Sequence, residues 1–121
     1  MTPTSQYRWI KRKSIKLLTS RGYQFVHPSD SFLSQYARLS FIGMRGDYEA
    51  LCVKVNVSDL PFNEIRSIEG LCWKEIAQFN NLLTMYPGDM FLRCEVWIFA
   101  PYRELYCFEV AKDGIREAVY A

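Results

Sequence analysis

Three kinds of side chain in this 121-residue sequence can do chemistry, and they are unevenly distributed. The cations Arg8, Lys11, Arg12, Lys13 and Lys16 crowd into YRWIKRKSIK, a pattern suited to neutralising phosphates irrespective of base sequence. Lys54 stands apart in YEALCVKVNV, a lone cation in an apolar strand that could hold a phosphate or, with carboxylates beside it, share in a cation site. The acids that could hold a hard cation near it are Asp30, Asp47 and Glu49, and none of them lies two residues away.

The thiols point elsewhere. Cys52, Cys72, Cys94 and Cys107 occur singly inside apolar segments, and His27 is the only histidine. A zinc site needs ligands at short local spacings, so these cysteines are expected as buried reduced thiols and no metal is assigned to them. His27, just before Pro28, has no sequence partner for acid–base work and reads as a loop-edge residue.

The elements that must position these groups follow from spacing. Thr4 or Ser5 caps a helix running to Arg21, stopped by Gly22, with Tyr7, Ile10, Ser14, Leu17, Leu18 and Arg21 inward and the bases outward. Tyr23 to His27 reads as a strand and Pro28 to Ser31 as a loop. Ala37 to Ile42 and Tyr48 to Val57 form a hairpin around the glycines of Gly43 to Asp47. Alternation along the second strand puts Glu49, Leu51, Val53, Val55 and Val57 on a core face, with Lys54 looking the opposite way beside Ala50 and Cys52. Those two residues are too small and apolar for an exposed face, so Lys54 is expected in a semi-buried pocket.

A second helix starts at Asn63 or Ser67 and lasts to about Tyr86, its buried stripe marked by Ile65, Ile68, Cys72, Ile76, Phe79, Leu83 and Tyr86. Strands Phe91 to Ala100 and Glu104 to Val110 follow around Pro101-Tyr102, and Lys112 to Tyr120 is a final helix or a tail. The fold class is α/β or mixed α+β, in one domain spanning 1–121.

Composition sets further bounds. Half the residues are hydrophobic and 16% aromatic, enough for a dense core and rich enough to suggest one sticky surface. Trp97, Phe99, Tyr102, Tyr106 and Phe108 are expected to pack on helices or form a dimer surface. The net charge of +2 conceals +6 over residues 1–29 and −4 over the rest. No apolar run is long enough to span a bilayer and the N-terminus lacks the apolar core of a signal peptide, so a cytoplasmic protein without a membrane partner is expected.

The stretch Ile15 to Val26, with its Leu-Leu, Gly-Tyr and strand, then Ser29 and Ser31 in a loop, then a hairpin ending Val53-Lys54-Val55, resembles the restriction-endonuclease-like superfamily. Within it the chain is most similar to archaeal-type Holliday junction resolvases, over about residues 7 to 110. The resemblance implies a three-layer fold, a central mixed sheet of about five strands flanked by helices, and a homodimer. It also implies a site in which an Asp, a Glu two residues before a Lys, and that Lys manage a Mg²⁺ ion. Carried onto this sequence, the Lys is Lys54, the Glu position is Cys52, and the Asp position falls at Arg38 or Leu39. The first helix offers no acid either. The site comprising Lys54, Cys52 and Leu39 is therefore expected to be vestigial.

The expected function is binding of DNA or RNA by a catalytically degenerate nuclease-fold protein, through Arg8, Lys11, Arg12, Lys13, Lys16 and Lys54, with no metal and no small-molecule cofactor. One alternative is an active Mg²⁺-dependent endonuclease whose carboxylates have moved to Asp30 and Asp47. Another is a protein-interaction or dimerisation module without a nucleic-acid role.

Overall fold

A computed structural model describes residues 3–57, 65–100 and 104–118. Helix α1 spans Pro3–Ser20, strand β1 Gln24–Val26, β2 Phe41–Arg45 and β3 Glu49–Val57. Helices α2 (Ile65–Leu71) and α3 (Trp73–Met85) lead to β4 (Phe91–Ala100), β5 (Glu104–Ala111) and β6 (Gly114–Glu117). Two short 3₁₀ turns, Pro28–Asp30 and Phe32–Gln35, lie between β1 and β2.

Six strands form one mixed sheet in chain order β1 to β6. All neighbours are antiparallel except β3 and β4, which run parallel, with α2 and α3 in the crossover that such a pair requires. Helices cover both faces. Ile10 and Leu18 of α1 pack on Phe41, Leu51, Val53, Trp97 and Phe99. On the other face Ile68, Cys72, Phe79 and Leu82 pack on Ile42, Ala50, Cys52, Cys94, Val96 and Ile98. The class is mixed α+β, and each face has its own core.

A strand buried on both sides should read as a nearly continuous apolar run, and the central strands β3 and β4 do. Both faces of β3 are therefore core, where alternation alone assigned only the odd one. Each central strand also carries one buried charge, Lys54 in β3 and Glu95 in β4. Lys54 sits beside Val96 and Glu95 beside Val53, so the two charges point to opposite faces.

Two glycines fix the junction of α1 with the sheet. Gly22 takes φ 86°, a left-handed cap, while Tyr23 N–H donates to Leu18 O at 2.9 Å. Gly43 lets the helix end approach β2, since a Cβ there would lie 2.8 Å from Tyr23 Cβ and 2.9 Å from a Leu18 methyl.

Three expectations need correction. The first hairpin strand begins at Phe41 rather than Ala37, because the chain leaving the 3₁₀ turn Phe32–Gln35 stays irregular from Tyr36 to Ser40. The second helix divides at Cys72, although bonds from Cys72 N–H to Ile68 O and from Ile76 N–H to Cys72 O carry its buried stripe across the break. The expected final helix or tail contains strand β6, which pairs with β5 through a turn at Lys112-Asp113 and Gly114 at φ 145°. Asn63, Pro101-Tyr102 and Tyr120 lie outside the described residues.

Candidate functional site

The C-terminal half of β3, the segment entering β2, and the N-terminal turns of α1 and α3 meet at one end of the sheet. They enclose an open cavity of about 650 Å³, lined among others by Tyr7, Arg38, Ser40, Lys54, Val55 and Glu75. Its location follows from the topology: α1 and α3 both begin at the end of the sheet where β3 finishes and β2 starts.

Lys54 forms the floor. It is only 8% exposed, its ammonium donates to the Arg38 carbonyl, and it sits 6.0 Å from the centre of the Phe79 ring. Burial pushes its pKa below the ordinary lysine value, Glu75 pulls it back up, and Arg38 pushes it further down. Asn56, two residues along β3 on the same face, donates to Glu75 Oε1 at 3.3 Å. The Ser40 hydroxyl accepts from the Val55 N–H at 3.0 Å and holds the entry of β2 against β3. The outcome is two cations and one carboxylate around a space walled by Ile10, Phe41 and Val55.

The residues singled out in sequence separate into three places. Cys52 and Leu39 are buried in the core on the α3 side, and Lys54 follows Cys52 on that same face. Asp47 is exposed in the β2–β3 turn, at the far end of the hairpin from Lys54. Even Glu49 is five extended residues from Lys54, about 16 Å at roughly 3.3 Å per residue. Asp30 is exposed in the first 3₁₀ turn, and the carboxylate that acts on Lys54 is Glu75. The structure does not bring Asp30, Asp47 and Lys54 together, and Cys52, Arg38 and Leu39 around Lys54 offer no carboxylate oxygen to a hard divalent cation. Among the described residues, no group of three or more His, Cys, Asp or Glu side chains is placed to hold a metal ion.

The basic residues occupy the outer side of α1. Arg8, Arg12, Lys13 and Lys16 are exposed and Lys11 is half-buried. Arg8, Arg12 and Lys16 recur every four residues and so form one row along the helix. Lys54 does not belong with them, since it lies beneath the opposite face of the sheet from α1. The serine loop has a local role: Ser31 Oγ accepts from Leu33 N–H at 3.2 Å, and His27 Nδ1 lies 2.7 Å from Ser29 Oγ. Trp97, Phe99 and Phe108 are buried and Tyr106 half-buried, so the aromatic hairpin packs inward.

Sequence reasoning missed Glu75 and Tyr7 as site residues, and missed Glu95 altogether. Glu75 stands three residues after Cys72 and next to Ile76, hence close to the buried stripe, which was the available signal. Tyr7 was assigned to the inward stripe, yet it is 58% exposed because the cavity lies below it.

Fold and site together define a mixed α+β domain with an open, charged cavity at the end of its sheet. No family model matches this sequence, and no curated protein or solved structure is significantly similar to it.

Proposed function

We propose that this chain binds nucleic acid through the outer face of α1, on a restriction-endonuclease-like scaffold that no longer holds a catalytic metal. The observation that carries this reading is the row Arg8, Arg12 and Lys16, flanked by Lys11 and Lys13, on a helix whose other side is fixed to the sheet. None of these five forms an ion pair with a described residue, whereas Arg21, Arg45, Arg93 and Arg116 all do. Unpaired cations held in a row exchange condensed counterions for their own charge, and affinity then arises without base-specific contacts.

The scaffold part of the reading rests on element order: a helix, a three-stranded antiparallel meander, a helical crossover and a parallel fourth strand. The degenerate part rests on Cys52 and Leu39 at the positions where the resembled family places acids, with Lys54 the one residue in common.

Binding of a labelled duplex, followed by anisotropy at several salt concentrations, tests it. Five phosphate contacts give a slope of log K against log salt of about −4.5 for duplex and about −3.5 for a single strand. Replacing Arg12 and Lys16 together by glutamate should weaken binding by about tenfold or more at low salt. Affinity insensitive to salt, or unchanged by that double substitution, would overturn the reading.

A further inference from the structure

We infer that the cavity between Tyr7, Arg38, Lys54 and Glu75 receives one unpaired nucleotide, its base against Tyr7 and its phosphate toward Lys54 and Arg38. This rests on the nucleic-acid reading and names the form of nucleic acid preferred.

Four observations converge on it. Tyr7 occupies an inward position of α1, at the spacing of Ile10 and Ser14, yet it is 58% exposed and, among the described residues, borders the cavity rather than packed core. An exposed aromatic ring on the rim of a concavity is a stacking platform for any base. The cavity, about 650 Å³, lies within the range of small-ligand sites and is larger than a single nucleotide needs.

The charges match as well. Lys54 and Arg38 against Glu75 leave one positive charge, which a phosphodiester, carrying one negative charge, neutralises. Burial already disfavours the Lys54 ammonium, so an anion in the cavity relieves a cost the protein carries when empty. Glu75 supplies an acceptor for the N–H edges of a base, and Ile10, Phe41 and Val55 supply apolar walls. An aromatic ring with N–H donors joined to a single negative charge is the chemistry of a nucleotide.

Finally, two cations of the basic group stand near the cavity rim in sequence. Lys11 lies one helical turn beyond Tyr7 on the same side, and Arg8 follows Tyr7 directly. A strand tracked by α1 reaches the cavity mouth at the helix N-terminal end. A fully paired duplex keeps its bases stacked inside and leaves the cavity empty; an overhang, bulge or branch point offers a base at little cost.

The test compares a blunt duplex with the same duplex carrying one unpaired nucleotide, by anisotropy at fixed salt, with adenosine monophosphate titrated separately by NMR. Wild-type protein should prefer the unpaired substrate by about tenfold, the order of one base–aromatic stack. Tyr7→Ala should abolish the preference while leaving blunt-duplex affinity unchanged, and Tyr7→Phe should retain it. The Arg12→Glu and Lys16→Glu double variant should weaken both substrates equally. Equal wild-type affinity for the two duplexes would overturn the cavity assignment and leave the helix reading standing. If neither duplex binds, the helix reading fails, and the titration decides the cavity: shifts confined to Tyr7, Ser40 and Val55 support a free mononucleotide ligand, and their absence overturns it.

Discussion

Arg21, one residue past the end of α1, grips Glu95 in the middle of β4 with both guanidinium nitrogens, at 2.9 and 3.1 Å. Glu95 is fully buried, and it also accepts from Arg93 Nε at 2.7 Å and Trp97 Nε1 at 2.9 Å. A carboxylate taken out of water is tolerated only when its lone pairs are met in this way. Arg93 and Glu109 then extend the chain of charges to Arg116 on β6, so one network ties the end of α1 to three strands.

Replacing Glu95 by glutamine removes the buried charge on which Arg21, whose side chain is 11% exposed, closes its two-pronged ion pair. The expected loss is about 3 kcal/mol of unfolding free energy, read from urea denaturation. Arg21→Lys should cost less but remain measurable, since an ammonium cannot reproduce the two parallel bonds of the fork. A loss below about 1 kcal/mol for Glu95→Gln would show that the network does not hold α1 to the sheet.

Two buried titratable groups, Lys54 and Tyr23, act oppositely on stability as pH rises. Lys54 has its pKa lowered, first by burial and then by Arg38, against an opposing pull from Glu75. Between that lowered value and the ordinary 10.5, the unfolded chain holds more protons than the native one, so this group makes stability rise with pH. Tyr23, raised above 10.0 mainly by burial and by Glu49, acts in the other direction once the unfolded tyrosine ionises. Comparing wild type with Lys54→Met at each pH cancels Tyr23. The variant should be more stable by about 1 kcal/mol near neutrality, with the gap closing as pH approaches the ordinary lysine value. A gap constant with pH would mean that the ammonium carries no desolvation cost.

The sequence made the scaffold readable because its signals are local. Helical spacing in α1, Gly22 at its end, the Gly-rich hairpin and the apolar run of β3 all depend on neighbours within a few residues. Lys54 was legible as semi-buried because Ala50 and Cys52 share its face. Less legible were features set by partners distant in sequence. Glu95 looks like a surface interruption of RCEVWIF until Arg21, 74 residues away, is brought to it. Glu75 joins Lys54 only through the packing of α3, and Tyr7 meets the open cavity rather than the core only once α1 is laid on the sheet. Strand β6 was missed despite the turn signal Asp113-Gly114, because the segment after it is too polar to read as a strand without β5 beside it.

The thiols should be chemically silent. Cys52 and Cys94 are neighbours across the parallel pair, and the hydrogen bond that the Cys94 thiol donates to Cys52, followed by burial, pushes the Cys94 thiol far up. Burial and then Glu75 push Cys72 up to about 12. Only the thiolate attacks a disulfide reagent. Native protein should therefore leave Cys52, Cys72 and Cys94 unmodified by Ellman's reagent at pH 8, with slow reaction confined to half-buried Cys107, and four thiols should appear on denaturation. Rapid native reaction of two or more would contradict the packing around β3 and β4.

Ser14 gives the simplest test of the α1 interface. It is fully buried on the inner side of the helix between Ile10 and Leu18, and its hydroxyl has no hydrogen-bond partner among the described residues. A buried hydroxyl without a partner costs about 1–3 kcal/mol, and serine is also a poorer helix former than alanine. Ser14→Ala should therefore raise unfolding stability by about 1 kcal/mol, allowing for the small void left by the oxygen. Its nucleic-acid affinity should not change, because residue 14 lies on the side of α1 opposite the basic row. A destabilised Ser14→Ala would place a partner on that hydroxyl and require a looser packing of α1 on the sheet. Unchanged stability would mean that the hydroxyl reaches a backbone carbonyl of its own helix, a bond whose loss offsets the gain.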